Sequence, residues 1–217
     1  MKLARIHRRI EPIWHVQLAI IVAIAVQVFL NKEFVVGPHY ALAAFEFVLL
    51  MAISLPGNSK PRPSHRLLRR LLALTLLTLI AVTNIASLVL VSDALLNGSA
   101  TNGHALIYSA LVIYATNIIV FGLFYWELDN RNIEGTVDGE RDFMFPQQSS
   151  SPQATHQSNW YPTFFDYLYV SVTNATAFSP TDAMPLTYRA KLLMGIQAFT
   201  SLATIALVAA RAVNILK

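Results

Sequence analysis

Long apolar runs constrain this chain more than any other feature. Five stretches, residues 13–30, 40–55, 67–96, 105–126 and 186–216, come close to the about 20 apolar residues a helix needs to cross the hydrocarbon layer. The second stops at Pro56-Gly57. The fourth ends in Phe121, Phe124, Tyr125 and Trp126, and aromatic residues at the end of a run suit a membrane interface. Composition agrees. Of 217 residues 55% are hydrophobic and 13% charged, whereas a soluble domain carries about 25% charge. A soluble core of this size cannot hide that much apolar surface, which argues against a soluble globular protein and against a disordered one.

The expected fold is all-α: a polytopic membrane helical bundle of five transmembrane helices plus a short re-entrant or interfacial helix. Residues 1–126 read as a four-helix transmembrane region and 127–160 as a flexible polar loop. Residues 161–217 read as a short pore-like helix, a turn and the last transmembrane helix. Pro162 suits the first turn of the short helix, residues 161–177. Asp166 and Asn174 make it marginal as a span. If it is re-entrant there are five spans; if it crosses there are six.

Charge placement sets the expected orientation. Lys2, Arg5, Arg8 and Arg9 precede the first run, and Lys60, Arg62, Arg66, Arg69 and Arg70 lie between the second and third. Positive loops stay inside, so the N-terminus is expected in the cytoplasm of a cell with the chain multi-pass in its inner membrane. The first run, at about 18 residues, is longer than the roughly 7–15 of a signal peptide core and reads as a retained anchor. The basic stretch from Lys60 to Arg70 is expected to meet anionic lipid of the bilayer, not nucleic acid.

Enzyme chemistry finds no support in the sequence. There are no cysteines, hence no disulfide or thiol nucleophile. The six histidines are scattered and form no i, i+4 metal pair. A Gly-rich phosphate loop and a Gly-x-Ser-x-Gly elbow are both missing. The expectation is a protein with no catalytic residues, no metal and no cofactor.

Polar residues inside apolar runs are functional candidates by default. Glu46 falls mid-way along the second run, where a carboxyl must be protonated or paired. It reads as a proton or cation relay, or as a protonated side chain bonded to another helix. Asn84 and Asn117 read as interhelical hydrogen bonds. Arg211 reads as snorkelling to the interface or pairing across helices. Arg189 and Lys191 read as interfacial, and Asp182 or Thr187 as a cap for the last helix, with Pro185 and Leu186 opening it.

The segment from Phe164 to Met194 carries the densest chemistry. Ser171-Val172, Ala175-Thr176, Asp182, Pro185, Thr187 and Leu192 resemble the pore region of tetrameric potassium channels in order and spacing. That resemblance implies a short pore helix, a filter loop and a long inner helix. The filter position is held by Thr176, Ala177, Phe178, Ser179, Pro180, Thr181 and Asp182. Both glycines of the potassium Thr-Val-Gly-Tyr-Gly loop are replaced, so a potassium-type filter is not expected. A second resemblance covers residues 105–215. Trp126-Glu127-Leu128-Asp129, Asp142-Phe143-Met144-Phe145-Pro146, Asp166-Tyr167-Leu168-Tyr169 and Ala177 to Asp182 look like small bacterial membrane proteins of the DUF1345 kind. This implies about five spans and no assigned activity.

Together these readings point to an ion-conducting pore related to cation channels, formed by a homo-oligomer. A non-conducting membrane scaffold or accessory protein, and a small-solute transporter using Glu46, stay open as alternatives.

Overall fold

The computed structural model describes residues 14–28, 30, 32–35, 39–54, 63–97, 103–133, 141–148, 160–177 and 183–215. These residues are mostly helical. Six helices follow one another: α1 (Trp14–Val28), α2 (His39–Ser54), α3 (Pro63–Leu96), α4 (Gly103–Ile133), α5 (Phe164–Ala177) and α6 (Tyr188–Ile215). Two short strands, β1 (Phe143–Met144) and β2 (Met184–Pro185), pair antiparallel, with Phe143 opposite Pro185 and Met144 opposite Met184. The all-α expectation therefore holds apart from one small ribbon.

Three helical stretches are long and apolar enough to cross a membrane: Leu67–Leu96, Gly103–Asp129 and Tyr188–Arg211. Helices α1 and α2 have 15 and 16 residues. At about 1.5 Å per residue each is roughly 22–24 Å long, short of a hydrocarbon layer about 30 Å thick.

Helix starts follow from local chemistry. Pro63 opens α3 at a position where its missing N–H costs nothing. The backbone N–H and the hydroxyl of Thr163 both donate to Asp166 Oδ2, at 2.6 and 2.8 Å. The Asp166 carboxylate thereby satisfies the N–H that precedes the helix, half of a capping box, and Thr163 is the cap of α5, with Pro162 just before it rather than inside the first turn. Thr187 caps α6, accepting from the Ala190 N–H at 3.3 Å. Pro185 and Leu186 do not open that helix. Pro185 lies in β2, and the Leu186 N–H donates to the Asp142 carbonyl at 2.9 Å, so α6 begins at Tyr188.

The stretch 127–160, expected as a flexible polar loop, is partly regular structure. Helix α4 continues through Glu127 to Ile133, and residues 143–148 supply β1 and a 3-10 turn over Pro146–Gln148. Phe143 is wholly buried and Phe145 nearly so. Their aromatic rings, in a segment of mixed composition, give it the apolar area to dock.

Helix α4 is the centre of the bundle, packing against α1, α3, α5 and α6. It is therefore buried on several faces, through residues such as Leu106, Ala110, Ile113, Val120, Leu123 and Tyr125. Outer faces are greasy: Val82 and Val89 on α3, and Leu192, Phe199 and Leu202 on α6, are exposed. The inward face of α6 runs Ala190, Met194, Gln197, Ser201 and Thr204, all buried. On α6 polar residues thus point in and large apolar ones out, the reverse of a helix in a water-soluble bundle and the arrangement lipid favours. Three long apolar helices support a membrane location for the chain.

Contacts define the two ends of the bundle. At one end the His15 and Phe165 rings lie 5.5 Å apart, tying the start of α1 to the start of α5. Arg70 near the start of α3 lies 3.8 Å from Glu127 near the end of α4. At the other end the start of α4, at Gly103, meets Arg211 near the end of α6. Helices α5 and α6 both start at the end of the bundle where α4 finishes.

Candidate functional site

Residues from α4, α5 and α6 meet in a buried polar network centred on Gln197, which is wholly buried. Gln197 Nε2 donates to Ser171 Oγ at 2.6 Å and to the Ser171 carbonyl at 3.0 Å. Gln197 Oε1 accepts from the Tyr125 hydroxyl at 2.5 Å and from Asn174 Nδ2 at 2.8 Å. A glutamine amide has two donors and two acceptor sites, and all four are used here. The network extends further. The Ser171 hydroxyl donates to the Ile118 carbonyl at 2.6 Å, and Asn174 Nδ2 donates to the Met194 carbonyl at 3.0 Å. Asn117 Nδ2 donates to Ser201 Oγ at 2.8 Å. Where helix dipoles and side chains replace water, such mutual satisfaction fixes α5 between its two neighbours. Gly122 makes the approach possible. A Cβ there would stand 3.2 Å from the Leu168 Cα on α5.

A second cluster closes the end of the bundle where α5 starts. Asp129 Oδ1 accepts from the Asp142 N–H at 2.8 Å and from the Phe143 N–H at 3.4 Å. Asp129 Oδ2 accepts from the Tyr167 hydroxyl at 2.5 Å. The Asp142 carboxylate accepts from the Thr187 hydroxyl and lies 3.5 Å from Arg189 Nη2. Both aspartates are almost completely buried. The Phe143 ring sits between Tyr125 and Tyr167, 5.1 and 6.0 Å from their centres. Asp129, Asp142, Phe143 and Tyr167, from separate stretches of the chain, therefore meet in space.

The candidates from sequence scatter. Thr176 is exposed in the last turn of α5, its hydroxyl on the Val172 carbonyl at 2.8 Å. Ala177 ends that helix. Phe178, Ser179, Pro180, Thr181 and Asp182 lie outside the described residues, as do Lys60 and Arg62 of the basic stretch. Asn84 Nδ2 donates to the Ile113 carbonyl at 3.0 Å, joining α3 to α4, and Asn117 joins α4 to α6. Both do what an interhelical hydrogen bond was expected to do. Arg189 faces Asp142. Arg211 packs over the first residue of α4, where a Cβ on Gly103 would stand 2.5 Å from its Nη2. Glu46 is wholly buried on α2, apart from the other candidates.

Sequence reasoning missed Gln197, the hub. Its signal was present: Gln197, Ser201 and Thr204 recur at helical spacing inside the last apolar run. Asp129, Asp142 and Tyr167 were read only as parts of a resemblance. Their association spans 38 residues of sequence between Asp129 and Tyr167, and no local pattern reports that. Among the described residues no group of three or more His, Cys, Asp or Glu could hold a metal. Compared with family models, curated proteins and solved structures, the chain matches none.

Proposed function

We propose that this chain is one subunit of an ion-conducting pore of cation-channel ancestry, in which α4, α5 and α6 are the pore-forming unit. The observation that carries the reading is the course of α5. The Tyr167 hydroxyl reaches Asp129, Leu168 lies against Gly122 and Ser171 reaches Ile118, so α5 runs antiparallel to the last part of α4, its 14 residues advancing about 21 Å. Met184 is back opposite Met144, and Thr187 bonds to Asp142. The five residues from Phe178 to Asp182 and their flanking bonds reach at most roughly 20 Å, enough for a return to the same end. A half-helix that runs in, a short return and a long helix that then crosses is the order of a pore loop.

In this reading α1 and α2 cross where the bilayer thins around them, beside the three long spans, giving five spans in all. The residues at the end where α5 starts include Arg69, Arg70, Arg141, Arg189 and Lys191, and the charge bias makes that end cytoplasmic, together with the N-terminus. The basic stretch from Lys60 to Arg70 meets anionic lipid. On this reading the constriction of a homo-oligomer falls to residues 178–182, which lie outside the described residues, with Asp182 as its charge. The similarity to potassium-channel pore regions and to the DUF1345 kind enters here as ancestry, and the chain performs no enzyme reaction.

A non-conducting scaffold is the second reading. It is favoured by the Gln197 network, in which every side-chain hydrogen-bonding position of the hub is filled from within one chain. Ion flux into proteoliposomes separates the two. The pore reading expects flux that rises with protein density and an ion preference altered by Asp182→Asn. Flux no greater than that of empty liposomes, at a density where a control channel conducts, supports the scaffold.

A further inference from the structure

Glu46 stands apart from everything above. Its side chain is wholly buried, and neither carboxyl oxygen has a hydrogen-bond partner. Gln27 on α1 faces it, and the Gln27 Nε2 is likewise buried without a partner. Two polar groups from adjacent helices thus face one another, close enough for the Gln27 amide to act on the Glu46 carboxyl but with no hydrogen bond of good geometry between them. Leaving a buried polar group unpaired costs on the order of 1–3 kcal/mol, and an unpaired buried charge costs more. A carboxylate held there bare is therefore disfavoured.

A protonated carboxyl and a primary amide are complementary. The carboxyl O–H donates to the amide oxygen while an amide N–H donates to the carboxyl C=O. A half-turn of the Gln27 amide brings its oxygen into place for the first of these bonds. An ionised carboxylate can accept from Gln27 but cannot donate, so one of the two bonds depends on the proton. We propose that Glu46 and Gln27 form a proton-binding site inside the α1–α2 hairpin. The proton resides on the Glu46 carboxyl while the two helices are packed as described. It passes to water when the helices part enough to admit it, leaving a hydrated carboxylate.

Among the described residues no charged side chain is an observed partner of Glu46. Helix α2 packs against α1 and α3. The titratable residue of α1 is His15, twelve positions before Gln27, about 18 Å along the helix. Those of α3 are His65, Arg66, Arg69 and Arg70 at its start and Asp93 near its end. Lys32 and Glu33 lie in the connection between α1 and α2, and His39 opens α2. Gln27 is the polar group that faces Glu46. The inference does not rest on the pore reading.

Infrared difference spectroscopy of the full chain in lipid, recorded as pH is stepped, tests it. The site predicts a protonated-carboxyl C=O band that shifts in heavy water and vanishes at high pH. The band is lost in Glu46→Gln and returns displaced in Glu46→Asp. In Gln27→Leu it moves to higher frequency, because the C=O loses its donor, and this variant serves if Glu46→Gln does not fold. A Glu46 band absent at every pH, or present at every pH at which the protein stays folded, overturns the proposal. So does loss of the band on adding sodium at fixed pH, which assigns the site to a metal cation instead.

Discussion

The Tyr167 hydroxyl donates to the Asp129 carboxylate at 2.5 Å, with both residues almost fully buried. This bond ties the start of α5 to the end of α4. The same carboxylate binds the backbone of Asp142 and Phe143, so one acid organises three segments. Tyr167→Phe removes a donor and leaves one buried oxygen of Asp129 short of a partner. Stability should fall by about 1–3 kcal/mol, read as a lower thermal midpoint in detergent. Asp129→Ala should cost more, because the two backbone N–H groups lose their acceptor as well. Equal effects of the two substitutions would show that the backbone contacts contribute nothing.

Gln197→Leu removes the hub of the polar network. Interhelical hydrogen bonds in membranes average about 0.6 kcal/mol each, so the loss of four should lower stability by roughly 2 kcal/mol. Asn84→Leu, which removes a single bond to α4, should cost about a quarter of that. Reversible unfolding in mixed micelles gives both values, and a Gln197→Leu protein as stable as wild type contradicts the network's role.

Gly122 sits where α4 and α5 approach closely. The nearest atom to an added Cβ is the Leu168 Cα, which cannot turn away as a side chain would. Gly122→Leu should therefore force the helices apart and destabilise by about 1–3 kcal/mol. Gly195 on α6 has open space around it, so Gly195→Leu serves as the control and should leave the thermal midpoint nearly unchanged.

Gly103→Ala should act differently. The added methyl meets the tip of the Arg211 side chain, which can swing away. The expected result is a small stability change and faster modification of Arg211 by an arginine-selective reagent. An unchanged modification rate would place Arg211 elsewhere.

Much of the fold was legible in the sequence, for physical reasons that also explain what was not. Helices α3, α4 and α6 announce themselves because apolar stretches of that length are tied to membrane thickness. Asn84 and Asn117 were read correctly as interhelical donors, since an amide in an apolar helix must bond sideways. The start of α6 was misread at Pro185 because the competing partner, the Asp142 carbonyl, comes from a distant segment. The regular structure at Phe143–Gln148 was hidden for the same reason. A polar composition suggests a linker, and only tertiary packing against Tyr125 and Tyr167 gives Phe143 its place. The hub role of Gln197 depends on which face of α6 turns inward, and spacing alone does not reveal which partners wait there.

Insertion and return of the chain at one face of the membrane is the claim on which the pore reading rests. The sequence contains no cysteine, so single cysteines report without background. Thr163→Cys at the start of α5, Tyr188→Cys at the start of α6 and His104→Cys at the start of α4 are exposed positions. In vesicles of known orientation, a membrane-impermeant thiol reagent should label the first two from the same side and His104→Cys from the opposite side. Labelling of Thr163→Cys and Tyr188→Cys from opposite sides would mean that residues 163–188 cross the membrane, and would contradict the pore-loop architecture.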